Sequence, residues 1–263
     1  MLLAHKILLY LLILLFAFSC SGFVKVSDVE YTSGLLLDLY LPDGGTNNPV
    51  IICVRGGGWQ CGDKEQMAEM AQTFSDNGFV GVSIEYSESP EYTFPTQFYD
   101  VCDAVRFIRD NAETWGIDPN KIGLYGNSAG GHLVSLVAAY NNPFVSCAVS
   151  KSGVYDLVSG LDYGSEEQIE KAILFIGCTY EDCPKRWKNA SPVNWATLNS
   201  APLLMIHGFE DETVSVKQVN EMLKKCSQTN ANAIAIVYAN DAHGVPQLDI
   251  NIVISFFTEN LKE

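Results

Sequence analysis

The pentapeptide Gly126-Asn-Ser-Ala-Gly130 constrains the fold most, because it joins an apolar strand-like run to a helical run. A turn this tight from strand to helix leaves no room for side chains at its ends, a demand that Gly126 and Gly130 meet. Ser128 is then expected to project its hydroxyl above a sheet. The amide of Ala129 has no partner inside the following helix, so it can donate to an oxyanion. This stretch predicts a nucleophilic serine with one oxyanion donor.

A second glycine-rich segment, Gly56 to Gly58, follows an apolar run over residues 50–54 that is typical of a buried parallel strand. Without β-carbons, its backbone can turn N–H groups outward. We therefore expect Gly57 and Gly58 to supply the other oxyanion donors, and Trp59 beside them to bind substrate. A flexible loop without a ligand is the alternative interpretation.

Strand-like and helical patterns alternate along the chain. The predicted strands are 24–31, 35–41, 50–54, 79–86, 122–125, 145–150, 203–207 and 233–238, and the predicted helices are 64–77, 97–115, 129–140, 216–226 and 246–261. This rhythm predicts an α/β fold with a mostly parallel central sheet, helices on both faces and an antiparallel edge hairpin. We expect one catalytic domain over residues 20–263, with 155–201 as a small lid-like insertion.

A serine nucleophile needs a base, and the chain contains four histidines. His5 belongs to the N-terminal apolar segment, and His132 lies one helical turn beyond the serine. His207 ends an apolar strand and is expected to fix the loop that follows. His243 lies just past the last strand, at the carboxyl edge where ligands of α/β proteins bind. His243 is therefore the predicted base.

The predicted partner of His243 is Asp211, which follows the preceding strand and so shares its edge of the sheet. Glu210, Glu212 and Asp241 are the rival carboxylates. The order serine, aspartate, histidine along the chain is the order found in α/β-hydrolases. Chain order and sheet edge thus both favour Asp211.

Four stretches between residues 50 and 244 carry a family resemblance: Arg55-Gly-Gly-Gly-Trp59, residues 85–95, Asp118-Pro119 and residues 126–132. These stretches resemble those of α/β-hydrolases of the hormone-sensitive-lipase-like esterase family. Within that family, they are most similar to the bacterial acetyl- and feruloyl-esterase branch. The resemblance implies that Ser128, Asp211 and His243 form a catalytic triad. It also implies that the N–H groups of Gly57, Gly58 and Ala129 form the oxyanion hole, with no metal or organic cofactor.

Two positions depart from the family pattern. Arg55 stands where the family has a His that braces the glycine loop, and Ser87 stands where it has an Arg. As a permanent cation with several donors, Arg55 either fixes the loop or binds a substrate carboxylate. We favour the mechanical role, because the family position points into loop structure.

The N-terminus predicts export. The apolar run over residues 7–18 is too short to span a bilayer, and residues 1–19 fit a signal peptide. Cleavage before Cys20 also resembles processing of a bacterial lipoprotein, which would add a lipid anchor there; an uncleaved anchor is the alternative. We expect a secreted, periplasmic or cell-surface protein without a membrane-spanning domain.

Cysteine spacing adds one structural expectation. Seven cysteines follow Cys20, so at least one thiol stays free unless it pairs between chains. Cys178 and Cys183 are the best disulfide candidates in an exported protein. No Cys/His spacing indicates zinc.

Charge narrows the choice of substrate. The 31 acidic and 16 basic side chains give a net charge of −15, which repels phosphate backbones and excludes nucleic acid. The sequence thus predicts a serine esterase that forms an acyl-enzyme and removes acetyl or feruloyl groups from carbohydrate. An amide or peptide hydrolase of aminopeptidase or formamidase type on the same triad is one alternative. A catalytically inactive binding domain with the same fold is the other.

Overall fold

The computed structural model describes residues 23–262. Its strands are β1 (Phe23–Thr32), β2 (Leu35–Pro42), β3 (Asn48–Val54), β4 (Val80–Ile84), β5 (Ile117–Asn127), β6 (Cys147–Lys151), β7 (Leu203–Gly208) and β8 (Ala233–Tyr238). They form one sheet in the order β1-β2-β4-β3-β5-β6-β7-β8. β2 pairs antiparallel with β1 and β4, and the other neighbours are parallel. The predicted signal peptide and Cys20 lie outside the described residues.

Eight α-helices are found within residues 23–262: α1 (Ala68–Asp76), α2 (Thr96–Asp110), α3 (Ala112–Trp115), α4 (Ala129–Ala139), α5 (Glu166–Ile176), α6 (Pro184–Ala190), α7 (Lys217–Thr229) and α8 (Ile250–Leu261). In this part of the chain, none is long and apolar enough to cross a membrane.

Three of the predicted helices begin late or are interrupted in the structure. A 3-10 turn occupies the start of the first, over Lys64–Met67. The second is interrupted at Asn111, whose side chain donates to Phe107 O at 2.8 Å. The last begins at Ile250, after Asp249 accepts the Asn251 N–H at 3.0 Å as an N-cap.

The sheet is covered on both faces, as the alternating pattern predicts. On β3, Ile52 packs in the core beneath α2, α4 and α7, whereas Ile51 packs in the core beneath α1 and α8. Such a strand is buried on both sides, which explains its continuous apolar run. The predicted α/β fold, including the edge hairpin β1–β2, is confirmed.

The insertion over residues 155–201 carries α5 and α6. Ser165 and Gln168 form a capping box at the start of α5. Cys178 and Cys183 form a disulfide, as predicted. The indole N–H of buried Trp187 donates to Cys178 O at 3.0 Å, which ties α6 to the disulfide segment. The insertion is therefore an ordered element packed on the sheet domain.

Candidate active site

The turn between β5 and α4 is built as its glycines predict. A β-carbon on Gly126 would lie 2.3 Å from Gly130 O, and one on Gly130 would lie 2.1 Å from Val54 O. Any side chain at either position would separate the helix from the sheet. Ser128 itself has φ of 54°, a left-handed conformation that is uncommon outside glycine. Its backbone is held there by a hydrogen bond from Ser128 N to Lys151 O at 2.8 Å.

The three predicted catalytic side chains meet at the carboxyl edge of the sheet. His243 Nε2 lies 3.0 Å from Ser128 Oγ, and His243 Nδ1 lies 2.8 Å from Asp211 Oδ2. The ring is about a quarter exposed, whereas the Asp211 carboxylate is buried. With Nδ1 protonated, His243 donates to Asp211 and presents a bare Nε2 to the serine hydroxyl. This geometry suits proton abstraction from Ser128.

Asp211, and none of its rivals, contacts His243. Glu210 and Glu212 are exposed, and Asp241 accepts the Gln247 N–H at 3.1 Å. Asp211 Oδ1 accepts the N–H groups of residues 213 and 214, at 2.9 and 2.7 Å. These bonds leave Oδ2 facing the imidazole.

His207 also approaches Asp211. Its Nε2 lies 2.7 Å from Val214 O and 3.3 Å from Asp211 Oδ2, and its side chain is fully buried. Burial by itself would raise the pKa of Asp211. Hydrogen bonds from His207, His243 and the Val214 N–H outweigh burial and hold that pKa well below its usual range. His207 thus fixes the loop after β7, and Asp211 carries a negative charge at neutral pH.

The glycine loop packs directly against the nucleophile. A β-carbon on Gly56 would lie 3.3 Å from Ser128 Cβ. Gly57 has φ of 99°, and a β-carbon there would lie 1.8 Å from Cys61 O, so only glycine fits. Gly58 also has positive φ, at 59°. Gly56 thus places the loop that carries Gly57 and Gly58 against the nucleophile.

Arg55 is buried beneath the glycine loop. Its guanidinium donates to Cys61 O at 2.6 Å, Tyr86 O at 3.3 Å and the Glu88 carboxylate at 2.8 Å. It also lies 4.1 Å from the centre of the Tyr86 ring. With 1% of its surface exposed, Arg55 has no face available to a substrate. These contacts favour the mechanical role over carboxylate binding.

Replacing Arg55 with lysine is expected to lower turnover of a neutral acetyl ester and of a uronate-bearing ester equally, by about 10- to 100-fold. One ammonium cannot reach every acceptor of the guanidinium, so the loop shifts relative to Ser128. Steady-state kinetics on both esters provide the measurement, with Arg106→Lys as the exposed control. A loss confined to the uronate ester would instead identify Arg55 as a substrate ligand.

Trp59 requires a correction. Its side chain is 5% exposed and stacks on Phe175 with ring centres 4.6 Å apart, so it offers no open surface to a substrate. Its indole N–H donates to His132 Nδ1 at 3.1 Å, and His132 Nε2 donates to Ala190 O at 2.7 Å. Trp59 therefore connects the glycine loop to α4 and the insertion.

His132 makes stability sensitive to acid. Burial, partly opposed by the hydrogen bond to Ala190 O, lowers the pKa of His132 from 6.5 to about 4. The unfolded chain therefore binds this proton more readily, and the free energy of unfolding falls as the pH drops from 6.5 towards 4. Between pH 7.5 and 5.0, the protein should lose about 2 kcal/mol more than His132→Asn. Urea unfolding at both pH values measures this difference, and equal losses would contradict it.

Lys171 lies beside the candidate active site, although the sequence analysis does not predict it there. Its Cδ lies 3.2 Å from where a β-carbon of Gly58 would stand, so the side chain of α5 covers the glycine loop. Its ammonium lies 2.6 Å from Glu167 Oε1. Gln168 on the same helix donates to Glu212 O at 3.0 Å. Helix α5 therefore contacts both the glycine loop and the Asp211 loop. These contacts are long-range, so local sequence patterns do not predict them.

Within residues 23–262, no group of three or more His, Cys, Asp or Glu side chains is arranged to hold a metal ion. The free cysteines of this part are Cys53, Cys61, Cys102, Cys147 and Cys226. The side chain that contacts the Ser128 hydroxyl is the imidazole of His243.

Several curated esterases are similar to this chain in sequence. The BD-FAE family model matches residues 37–226. Esterase LipQ of Mycobacterium tuberculosis is 30% identical over 243 residues, which cover 83% of this chain and 56% of LipQ. Esterase LipC of the same organism is 27% identical over 219 residues, which cover 76% of this chain and 54% of LipC. The chain spans about half the length of the curated relatives it matches.

Solved structures share its fold. A carbohydrate esterase from gut microbiota, in truncated form, has a TM-score of 0.85 at 24% identity, over 93% of this chain and 99% of that one. A bifunctional GH43-CE protein of Bacteroides eggerthii has a TM-score of 0.83 at 25% identity, over 92% of this chain and 38% of its own. The sheet order, the strand-to-helix turn at Ser128 and the family match agree: the chain belongs to the BD-FAE family and has the α/β-hydrolase fold of esterases.

Proposed function

We propose that this protein is a serine carboxylic-ester hydrolase that works through an acyl-enzyme. The hydrogen-bonded series from Ser128 Oγ through His243 to Asp211 is the observation that carries the proposal. His243 Nε2 takes the hydroxyl proton as Ser128 Oγ attacks the ester carbonyl carbon. Asp211 stabilises the imidazolium, which then gives the proton to the departing alkoxide. The bond from carbonyl carbon to leaving oxygen breaks, and the acyl group stays on Ser128.

Water completes the cycle. His243 takes a proton from water, the resulting hydroxide equivalent attacks the acyl carbon, and Ser128 leaves with the proton returned from the imidazolium. The backbone N–H groups of Gly57, Gly58 and Ala129 are the proposed donors to the oxyanion of both tetrahedral intermediates. Their position supports this role, because the glycine loop touches Ser128 and Ala129 opens a buried helix.

The proposed substrate is an acetyl or feruloyl ester of carbohydrate. The carbohydrate esterases among the solved structures of similar fold support the carbohydrate portion. A mostly apolar cavity of about 100 Å³ lies between α5 and the loop after Asp211, where Lys171 and Val214 line it in part, and is the proposed site of the acyl group. Export through residues 1–19 is part of the proposal, since it would bring the enzyme to extracellular polysaccharide.

A fluorophosphonate probe, followed by peptide mapping, tests the nucleophile, and a matched ester series tests the substrate. We expect one labelled residue, Ser128, and a higher kcat/KM for the acetyl or the feruloyl ester of one sugar alcohol than for its long-chain acyl ester. Labelling elsewhere would remove the triad. A higher kcat/KM for the long-chain acyl ester would remove the proposed acyl groups while leaving the triad intact.

A further inference from the structure

A second cavity, of about 180 Å³, opens where helices α2 and α4 meet the insertion. Its lining includes Phe98, Tyr99, Leu136, Tyr140, Asn189 and Trp195, and we call it the aromatic groove. Leu136 and Tyr140 lie eight and twelve residues after Ser128 on α4 and its C-terminal end, about 12 Å and about 18 Å along the helix axis. The aromatic groove is therefore separate from the proposed active site.

The groove presents aromatic rings to solvent. Tyr99 is 58% exposed and Tyr140 is 51% exposed, although both carry large apolar surfaces. Phe98 beneath them holds their rings in place, with ring centres 5.4 Å from Tyr99 and 5.3 Å from Tyr140. Trp195 packs against Tyr140 with ring centres 4.8 Å apart. A clustered and braced set of exposed rings is typical of a binding surface, because binding then immobilises few side chains.

The polar groups of the groove stand at its rim. The Tyr99 and Tyr140 hydroxyls are each able to donate and to accept a hydrogen bond, and Asn189, which also lines the groove, is exposed. The Trp195 indole N–H already donates to Asn189 O at 2.7 Å, so the indole offers its apolar face instead. None of the described residues that line the groove is charged. In a chain of net charge −15, a groove without a cationic side chain disfavours anionic ligands.

We propose that the aromatic groove binds a sugar ring of a neutral glycan chain. A pyranose has an apolar face of C–H bonds, which packs on aromatic rings, and an edge of hydroxyl groups, which hydrogen-bonds to phenol and amide groups. An anionic ligand would be repelled by the net charge of −15 and would find no cationic side chain in the groove. The groove is a binding site without a catalytic group. If the proposed esterase function also holds, it retains a polysaccharide while an ester reacts at Ser128.

Titration of the protein with unacylated xylohexaose and cellohexaose tests the groove, with binding followed by calorimetry. We expect Tyr99→Ala and Tyr140→Ala each to raise Kd at least about fivefold, as truncation of an aromatic anchor does. Ile234→Ala on β8, which removes a side chain of similar exposure from the far end of the sheet, should leave Kd unchanged. All three variants should hydrolyse p-nitrophenyl acetate at the wild-type rate.

The titration contains no ester, so its result does not depend on the proposed esterase function. Failure of the wild type to bind either hexaose would overturn the glycan proposal, even with full esterase activity. Equal Kd values for the wild type and both tyrosine variants would overturn it as well. Light scattering covers the rival occupant: a dimer that dissociates in Tyr140→Ala, without an effect on sugar binding, would make the groove a contact between copies.

Discussion

Ser128→Ala is expected to abolish fluorophosphonate labelling and to lower kcat on an acetyl ester by about 10⁴- to 10⁶-fold. A methyl group cannot form the acyl bond, so only water attack assisted by the neighbouring amides would be left. The fold should persist, because the hydrogen bond to Lys151 O that holds position 128 uses the backbone N–H. Circular dichroism and urea unfolding verify this, and kinetics with p-nitrophenyl acetate give the rate.

Ser135→Ala provides a matched control for that loss. Ser135 lies on α4 about two turns further on, is buried, and donates to Gly131 O at 2.6 Å. Removing the Ser135 hydroxyl tests whether loss of any buried serine hydroxyl on α4 lowers turnover by disturbing the packing of the helix. We expect normal labelling and near-normal turnover in this variant. Labelling that survives in Ser128→Ala and disappears in Ser135→Ala would move the nucleophile.

Local sequence spacing predicted the parts of the site that local geometry builds. Gly126 and Gly130 are predicted from a turn too tight for side chains. In the structure, a β-carbon added at either position would clash with a backbone oxygen. His243 and Asp211 were located through strand order, because side chains after neighbouring parallel strands share one edge. The structure brings both within hydrogen-bonding distance of the expected partners. Their catalytic roles stay a proposal.

The support of the glycine loop could not be predicted in the same way. Trp59 stacks on Phe175, more than one hundred residues further along the chain, so its burial depends on how the insertion packs. From the sequence, Trp59 is predicted to bind substrate because it adjoins the glycine loop. The sequence does not reveal that its ring packs on Phe175. The same holds for Lys171, which reaches Gly58 only through the docking of α5. Local patterns define turns and strands, whereas long-range packing decides which side chains stay open.

Asp211→Asn should leave the fold intact and lower kcat by about 10³- to 10⁴-fold at neutral pH, for a reason visible in the carboxylate's contacts. Oδ1 accepts two backbone N–H groups, so the oxygen of an asparagine must occupy that position and its NH₂ group must face His243. A donor opposite Nδ1 forces the imidazole to carry its proton on Nε2. That nitrogen then cannot accept the Ser128 proton.

A charge-removing control and a direct measurement of the tautomer distinguish an orienting role of Asp211 from a role through charge alone. Glu212→Gln removes one negative charge from the adjoining exposed position and should retain most activity, since its side chain does not contact the ring. Nitrogen-15 NMR of the imidazole reports the tautomer directly: we expect the proton on Nδ1 in the wild type and on Nε2 in Asp211→Asn. A strong loss of turnover without that change of tautomer would show that Asp211 acts by charge. Near-normal turnover in Asp211→Asn would remove it from the proposed triad, because the carboxylate would then orient nothing that the reaction needs.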